Sequence, residues 1–552
     1  MLVREAIGRE LHRLGVRTAF GVVGSGNFHV TGALVAAGAR FVAARHEGGA
    51  AVMADAHART SGEVTVLTTH QGCGYTNSLT GVAEAAKSRT PLLVVTAEAT
   101  GRTSNFHVDQ PAIAEGVGAV SARVRSARTA LDDVTRAFRL CAEERRTVVL
   151  NVPIDVQDEP LPADAVAPRR RPAPGLPRPA ASDVESFAEL LRGAERPVFV
   201  AGRGARSAGA GEAIAALAER TGALLATSAV ARGLFAGRPG GDWCLDVAGG
   251  FATPLAAELI SGADLIVGWG CALNMWTMRH GRLISDTARV VQVDVDREAL
   301  GRTRDIDLGL WGGVTETAND TASHLPDAAR VTGYRTPDVA KRLASEGRWP
   351  QVPYEDGTGG GRIDPRTLTI ALDRMLPAAR TVAVDSGNFM GYPSMYLDVP
   401  DQDGLCFTQA FQSIGLGLST AIGAALARPD RLPVAACGDG GFLMGVSELE
   451  TAVRLGLPLL VVVYNDAMYG AEVHHFGHEA GAPAPDLSTV TFPETDLAAL
   501  ARGQGCAALT VTAEEDLAPL AEWLKAPDRP MVIDARTTRD EGSWWLHEAF
   551  GH

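Results

Sequence analysis

The 552-residue chain reads as an α/β protein made of three doubly wound parallel-sheet domains. Three observations predict this. Short apolar runs of strand length alternate with helical segments throughout, the pattern of parallel sheets covered on both faces. Two stretches rich in proline or glycine, 157–181 and 351–362, interrupt that alternation. The length also exceeds what one hydrophobic core usually fills. No short repeat period occurs, which excludes a solenoid.

The first block, 1–157, carries its strand-like runs at 64–69 (VTVLTT), 91–97 (PLLVVTA) and 146–153 (RTVVLNVP). The Pro-rich segment that follows it suits an extended crossing linker. A second block, 184–330, has RPVFVAGRG (196–204), GADLIVGWG (262–270) and ARVVQVDVD (288–296). The glycine-rich stretch QVPYEDGTGGGR (351–362) leads into the last block, 363–540. Its runs are TVAVDSG (381–387), RLPVAACGDG (431–440), LPLLVVVYND (457–466) and RPMVIDAR (529–536).

Composition narrows the function. A net charge of −14 argues against nucleic acid, because phosphate backbones need a basic surface. No run of about 18 uncharged apolar residues suggests a membrane span, and the N-terminus lacks the apolar core of a secretory signal. Seven cysteines without CxxC spacing fit neither a zinc site nor a disulfide framework, so a cytoplasmic location is expected. Lysine occurs only at Lys87, Lys341 and Lys525, which leaves few candidates for a Schiff-base nucleophile.

The most informative segment is GDGGFLMGVSELETAVRLGLPLLVVVYNDAMYGAE, 438–472. VAACGDG reads as a strand entering a glycine-rich turn. GVSELETAVRLG reads as an amphipathic helix with Leu449, Ala452 and Val453 on one face, and LPLLVVVYND as the next buried strand. Asp439 and Asp466 then sit at the carboxyl ends of successive parallel strands, the edge where open α/β sheets bind ligands. Two carboxylates there suit a hard divalent cation, and Mg²⁺ commonly shares such ligands with phosphates. Gly438, Gly440 and Gly441 allow backbone N–H groups close to an anion. GDG by itself is a common turn; the whole strand–turn–helix–strand–acid series is what predicts a magnesium-bridged diphosphate.

This segment resembles the thiamine diphosphate (ThDP) motif shared by acetolactate synthases, pyruvate decarboxylases and benzoylformate decarboxylases, which runs from GDG to a pair of asparagines. The resemblance implies Mg²⁺ held by Asp439, by the side chain at 466 and by the carbonyl of Met468, with Tyr469 and Gly470 beside the cofactor. Here the pair reads Asn465–Asp466, an aspartate in place of the second asparagine. RHEGGAAVMADAHARTSG (45–62) is similar to the family's other signature and places Glu47 on the cofactor's pyrimidine. A carboxyl hydrogen-bonded to N1′ favours the imino tautomer, whose 4′-nitrogen takes the proton from C2.

Further segments extend the likeness over essentially the whole chain. THQGCGYTNSLTGVAEAAKSRTPLLVVTAEA (69–99) departs from the acetolactate synthase form and places His70 where benzoylformate decarboxylase has an active-site histidine, with Gln71 next to it. FGVVGSGNFHV (20–30) brings Ser25 to a substrate-contacting position. FHVDQPA (106–112) supplies His107 and Gln110 as pocket candidates. VDSGNF (384–389) looks like a diphosphate loop, with Gly387, Asn388 and Phe389 as contacts. FQSIGLGLSTAIGAALA (411–427) makes Ile414 the bulky residue that bends the cofactor. Glu472 and His474 are candidate proton donors. His475 stands where acetolactate synthases usually carry a tryptophan of the acceptor pocket.

What the resemblance implies is a ThDP- and Mg²⁺-dependent carboligase: a 2-oxo acid donor is decarboxylated to a cofactor-bound enamine, which a carbonyl acceptor captures. Protonation to release an aldehyde is the alternative outcome, and a non-catalytic ThDP-binding paralogue the alternative class. A Schiff-base aldolase would need a lysine in the pocket. In the family Glu and metal site come from different subunits, so a homodimer or homotetramer is expected. The middle domain of relatives binds FAD, binds ADP or is empty. AGRGARSAGAG (201–211) is too weak a glycine pattern to support FAD, and a structural role is expected there.

Overall fold

A computed structural model describes residues 1–169, 171–326, 333–477, 485–539 and 542–546. It contains three six-stranded, all-parallel sheets flanked by helices. The first holds β1 (Thr18–Gly21), β2 (Arg40–Ala43), β3 (Thr65–Thr69), β4 (Leu92–Glu98), β5 (Val120–Arg123) and β6 (Val148–Pro153). The second holds β7 (Pro197–Ala201), β8 (Leu224–Thr227), β9 (Cys244–Val247), β10 (Leu265–Trp269), β11 (Arg289–Asp294) and β12 (Leu308–Trp311). The third holds β13 (Arg380–Val384), β14 (Leu405–Phe407), β15 (Leu432–Gly438), β16 (Leu460–Asn465), β17 (Ala507–Val511) and β18 (Met531–Arg536). Each apolar run singled out in the sequence forms one of these strands.

The strand order is β2-β1-β3-β4-β6-β5 in the first sheet and β14-β13-β15-β16-β18-β17 in the third, the same arrangement twice. The middle sheet runs β12-β11-β10-β7-β8-β9. Central strands such as β3, β4, β15 and β16 are buried almost throughout, as expected of strands covered on both faces. The segment after β6 is an extended crossing, as its composition suggests, and it is tied down. Arg13 and Arg139 donate to the carbonyls of Pro168 and Arg169, and Gly313 N–H donates to Pro177 O at 2.8 Å. The expected ends of the middle and last blocks, 330 and 540, lie outside the described residues.

Six helices bear on the site: α1 (Glu47–Ser61), α2 (Leu79–Lys87), α3 (Gly417–Ala427), α4 (Asp439–Gly445), α5 (Glu448–Arg454) and α6 (Gly470–Phe476). The alanine-rich α1 has high helix propensity. Its first turn is capped by the His46 side chain, which accepts from Gly48 N–H, and Gly62 ends it in the left-handed region at φ +75°. α1 packs against α3 through small residues, so that Ala50, Met53 and Ala54 share one core with Ala421 and Ile422. That contact joins the first domain to the last within a chain. The sequence suggests a single helix after a GDG turn. Instead helix begins at Asp439 itself, so Gly440 and Gly441 lie in its first turn, and α5 follows as a separate helix. Among the described residues no helix is long and apolar enough to cross a membrane.

Candidate active site

At the carboxyl edge of the third sheet lies a cavity of about 560 Å³. Loops after β13, β15 and β16 build it, around the point where strand order reverses. Gly438, Asp439, Gly440 and Gly441 form one wall. Asp466, Met468, Tyr469 and Gly470 form the next, and Glu472 and His475 extend it along α6. Gly387, Asn388 and Phe389 close the side towards β13, and Ile414 stands opposite. Gly387 has φ +143°, a conformation that a side chain at this turn would resist. Phe389 is held by a stack on Tyr464, ring centroids 5.2 Å apart, and Tyr464 is fixed through its hydroxyl to Thr369 Oγ1 at 2.9 Å.

The two aspartate side chains lie close enough for each to bear on the other's ionisation. Burial, and then the negative charge of Asp439, pushes the Asp466 carboxyl well above the usual carboxylate range; burial likewise raises Asp439. Two acids held this close resist ionising together unless a cation joins them. Asn465, by contrast, faces away from the cavity. Its Nδ2 donates to Asp534 Oδ1 at 2.7 Å and its Oδ1 accepts from Ala467 N–H at 3.2 Å. Ala467 sits at φ +56° between Asp466 and Met468, a sparsely populated conformation for a residue with a Cβ. Met468 N–H donates to Asp466 Oδ1 at 3.2 Å.

A second group gathers at the corresponding edge of the first sheet. Glu47 opens α1, where Asn77 Nδ2 donates to its Oε2 at 3.1 Å. His70 follows β3. Its Nδ1 lies 2.9 Å from Gln71 O, and a carbonyl only accepts, so Nδ1 carries the proton. His70 Nε2 is then the acceptor for Ser25 Oγ–H at 3.2 Å. Phe106 meets the imidazole edge-on at 5.0 Å between centroids. Glu47 and His70 flank Gly74, whose added Cβ would stand 3.3 Å from Glu47 Oε1 and 3.0 Å from His70 Cβ. None of Glu47, His70 or Ser25 lines the cavity of the third sheet. One chain therefore displays two half-sites.

Two expectations need correcting. Gln110 is not a pocket residue. It is buried, its Oε1 accepts from Gly72 N–H, and its Nε2 donates to Ala97 O and Asn151 Oδ1, so it serves as an internal strut. Gln71 is buried beneath Gly26, and its Oε1 has no hydrogen-bond partner among the described residues. His474 points away from the cavity towards Gly542, while its neighbour His475 lines the wall; successive helical residues project about 100° apart. His107 lies half-buried in the loop beside Phe106. None of the three lysines lines the cavity, which removes the pocket a Schiff-base aldolase needs.

The known proteins that this chain resembles carry the same two-ended organisation. The profile described as thiamine pyrophosphate enzyme, N-terminal TPP binding domain, matches residues 1–116. The central-domain profile of the same family matches 184–321, and its C-terminal TPP binding domain matches 385–535. The chain belongs to the thiamine pyrophosphate enzyme family. It is accordingly a thiamine-diphosphate-dependent enzyme. A probable 2-ketoarginine decarboxylase of Pseudomonas aeruginosa is 30% identical, covering 95% of this chain and 91% of its own length. A putative acetolactate synthase large subunit of Mycobacterium tuberculosis is 30% identical over 90% of each chain. A sulfoacetaldehyde acetyltransferase of Alcaligenes xylosoxydans xylosoxydans is 28% identical, covering 97% of this chain and 93% of its own.

The residues present fit that cofactor. The cavity falls within the range of small-molecule sites. Gln409 Oε1, buried in its wall, has no partner among the described residues and is open to a donor on a ligand. The paired carboxylates offer hard oxygen ligands. Among the described residues no group of three or more His, Cys, Asp or Glu side chains is placed to hold a metal, so remaining ligands would come from main chain and diphosphate.

Several site residues were not anticipated. Asp385 is fully buried and accepts from Gly415 N–H at 3.1 Å and Leu416 N–H at 3.2 Å; it pins the loop that carries Ile414. Glu84, on α2, accepts from Ala410 N–H at 3.1 Å and Phe411 N–H at 2.6 Å, steadying the same loop from the first domain. Trp276 of the middle domain and Leu546 near the C-terminus reach the cavity wall. Neighbours so distant in sequence leave no local pattern. Only the conspicuous acid in VDSGNF offered a signal, for Asp385.

Proposed function

We propose that the enzyme is a Mg²⁺-dependent carboligase that takes a 2-oxo acid as donor and a second carbonyl compound as acceptor. The observation carrying this reading is the Asp439–Asp466 pair at the ends of adjacent strands in a ligand-sized cavity. Asp439, Asp466 and the Met468 carbonyl would hold Mg²⁺ and a diphosphate, with Gly387, Asn388 and Phe389 as further diphosphate contacts and Ile414 as the bulky residue that bends the cofactor. Bound thiamine diphosphate supplies a carbon nucleophile and an electron sink for the 2-oxo acid carbon. Residues 1–157, 184–330 and 363–540 are its three units, and the middle one serves structure.

The chain's own groups divide the remaining work. Glu47 holds a proton at the pyrimidine N1′ position. His70, with Nε2 as acceptor and Ser25 O–H on it, orients or moves a proton near the substrate carbonyl. Glu472 and His475 line the cavity; Glu472 supplies a proton and His475 shapes the acceptor pocket. Relatives named for acetyl transfer and for acetolactate synthesis support ligation. The Ser25–His70 pair, together with a relative named as a 2-ketoarginine decarboxylase, favours a second reading, in which the decarboxylated unit is protonated and leaves as an aldehyde.

Glu47 and Asp439 serve one cofactor when two copies of the chain associate. Exposed apolar side chains surround both half-sites: Phe28 and Phe106 near the first, Met444 and Phe476 near the second, Phe476 being 61% exposed. Such patches mark interaction surfaces, and a second copy of this chain covers both at once. The test is to incubate pure protein with ThDP, Mg²⁺ and a panel of 2-oxo acids, each with and without aldehyde or 2-oxo acid acceptors, following CO₂ and products by NMR. Carbon dioxide with a ligated product supports the carboligase. Free aldehyde alone supports the decarboxylase, and no CO₂ from any donor overturns both.

A further inference from the structure

Immediately before Glu47, the backbone of the first domain is gripped by a helix of the last. Glu448, the first residue of α5, is 1% exposed. Its Oε1 accepts from Arg45 N–H at 3.1 Å and His46 N–H at 3.0 Å, and its Oε2 accepts from Thr451 Oγ1 at 2.6 Å. The same helix adds two contacts to this segment: Glu450 takes the Arg45 guanidinium, and Arg454 donates to Ala43 O. Glu448 reaches this position because residue 49 is glycine; a Cβ there would stand 2.4 Å from Glu448 Oε1. Gly49 thus has a partner some four hundred residues away.

The placement matters because of what lies at either end. Glu448 follows the helix that begins with Asp439, on the metal side of the cavity. The amides it holds belong to the two residues that precede Glu47. A buried carboxylate bound to backbone N–H groups is among the stronger protein hydrogen-bond arrangements, and it acts on the segment from which the Glu47 side chain projects. We propose that Glu448 is the positioning residue for Glu47, fastening the Glu47 segment to the metal-side helices of its own chain. This rests on the reading that Glu47 acts on the pyrimidine of a cofactor held by a second copy. Under that reading Glu448 ties the metal side of one cofactor site to the activating acid of the other.

Three variants test it: E448A, E448Q, which keeps one acceptor oxygen, and E47Q as reference. Backbone amide hydrogen exchange of residues 43–49 is read in the cofactor-free protein. ThDP affinity in Mg²⁺ is read by calorimetry, and C2 proton exchange of bound ThDP by quenched NMR. We expect E448A to unprotect 43–49 and to slow C2 exchange by roughly 100-fold, the cost of a catalytic group displaced by about 1 Å. ThDP affinity should stay within about twofold, and E448Q should fall between E448A and the parent. If E448A does not fold, E448Q decides alone. C2 exchange at the parental rate in the E448 variants, with E47Q slow, overturns the proposal and leaves Glu448 a structural clasp. E47Q exchanging at the parental rate overturns the reading of Glu47, and the proposal with it.

Discussion

In both the first and the last domain the sheet runs second, first, third, fourth, sixth, fifth strand, and in both the chemistry-bearing residues gather where that order reverses. The two edges are furnished differently. The last domain encloses a cavity around two acids whose ionisation burial opposes. The first domain offers Glu47, Ser25 and His70 on an open edge, where Ser25 is exposed and Glu47 half-buried. On the proposed function, one edge holds a charged group and the other acts on a ligand held elsewhere. The shared topology supplies the position, and the loops supply the division of labour.

The sharpest way to break this comparison is at Glu47. If the first domain only acts and does not hold, Glu47→Gln should lower kcat by roughly 10²–10⁴-fold, the usual contribution of acid–base catalysis, with ThDP affinity unchanged by calorimetry. A loss of affinity comparable to the loss of turnover would mean that the first domain also holds the cofactor.

Asp439→Ala addresses the other edge. On the proposed Mg²⁺ site, removing this ligand should weaken ThDP binding by about 100-fold in Mg²⁺, since even groups behind the ligands are worth 10–100-fold. Excess Mg²⁺ should recover part of the turnover. Tight binding by this variant would show that the carboxylate pair does not carry the diphosphate.

The sequence displayed the cavity half of this comparison more fully than the open half. The GDG and Asn-Asp signals are local, because each strand end delivers its ligand within a few residues. Buried central strands were likewise legible as apolar runs. Edge strands such as β2 and β14, short and partly exposed, carry no such run. Glu84, Asp385 and Glu448 were hidden for a different reason. Each is a buried acid that accepts from backbone amides of a distant loop or segment, and an amide has no letter in a sequence. That His474 turns away while His475 lines the wall as expected is a matter of helical phase, which a seven-residue helix leaves undetermined until its packing is known.

A smaller effect is expected at Ser25, whose hydroxyl donates to His70 Nε2. Losing one such hydrogen bond is worth about 1 kcal/mol, so Ser25→Ala should reduce kcat/KM by roughly fivefold. The ratio of ligated product to aldehyde should shift with it, read by NMR of the product mixture. An unchanged rate and ratio would place the Ser25–His70 pair outside the reaction path.

The last difference lies in the two helices that join the domains, and it should leave turnover at neutral pH untouched. α3 contains no ionisable residue, whereas α1 buries Asp55 and His57 and half-buries Arg59. His57 is 5% exposed, with Nδ1 2.9 Å from Thr65 Oγ1. Burial, with the nearby positive charge of Arg40, lowers its pKa from 6.5 to about 4. A lowered pKa means that the folded chain resists the proton that the unfolded chain accepts. Stability is therefore intact above about pH 6.5 and declines as pH falls towards 4, by roughly 3 kcal/mol in all. Hydrogen exchange followed from pH 7 to 4.5 should show α1 and the first sheet opening before the third sheet. His57→Gln, which takes up no proton, should flatten that decline. If the two domains lose protection together, with or without the substitution, the acid-sensitive element is not α1, and the helices are alike in the one respect in which their sequences differ most.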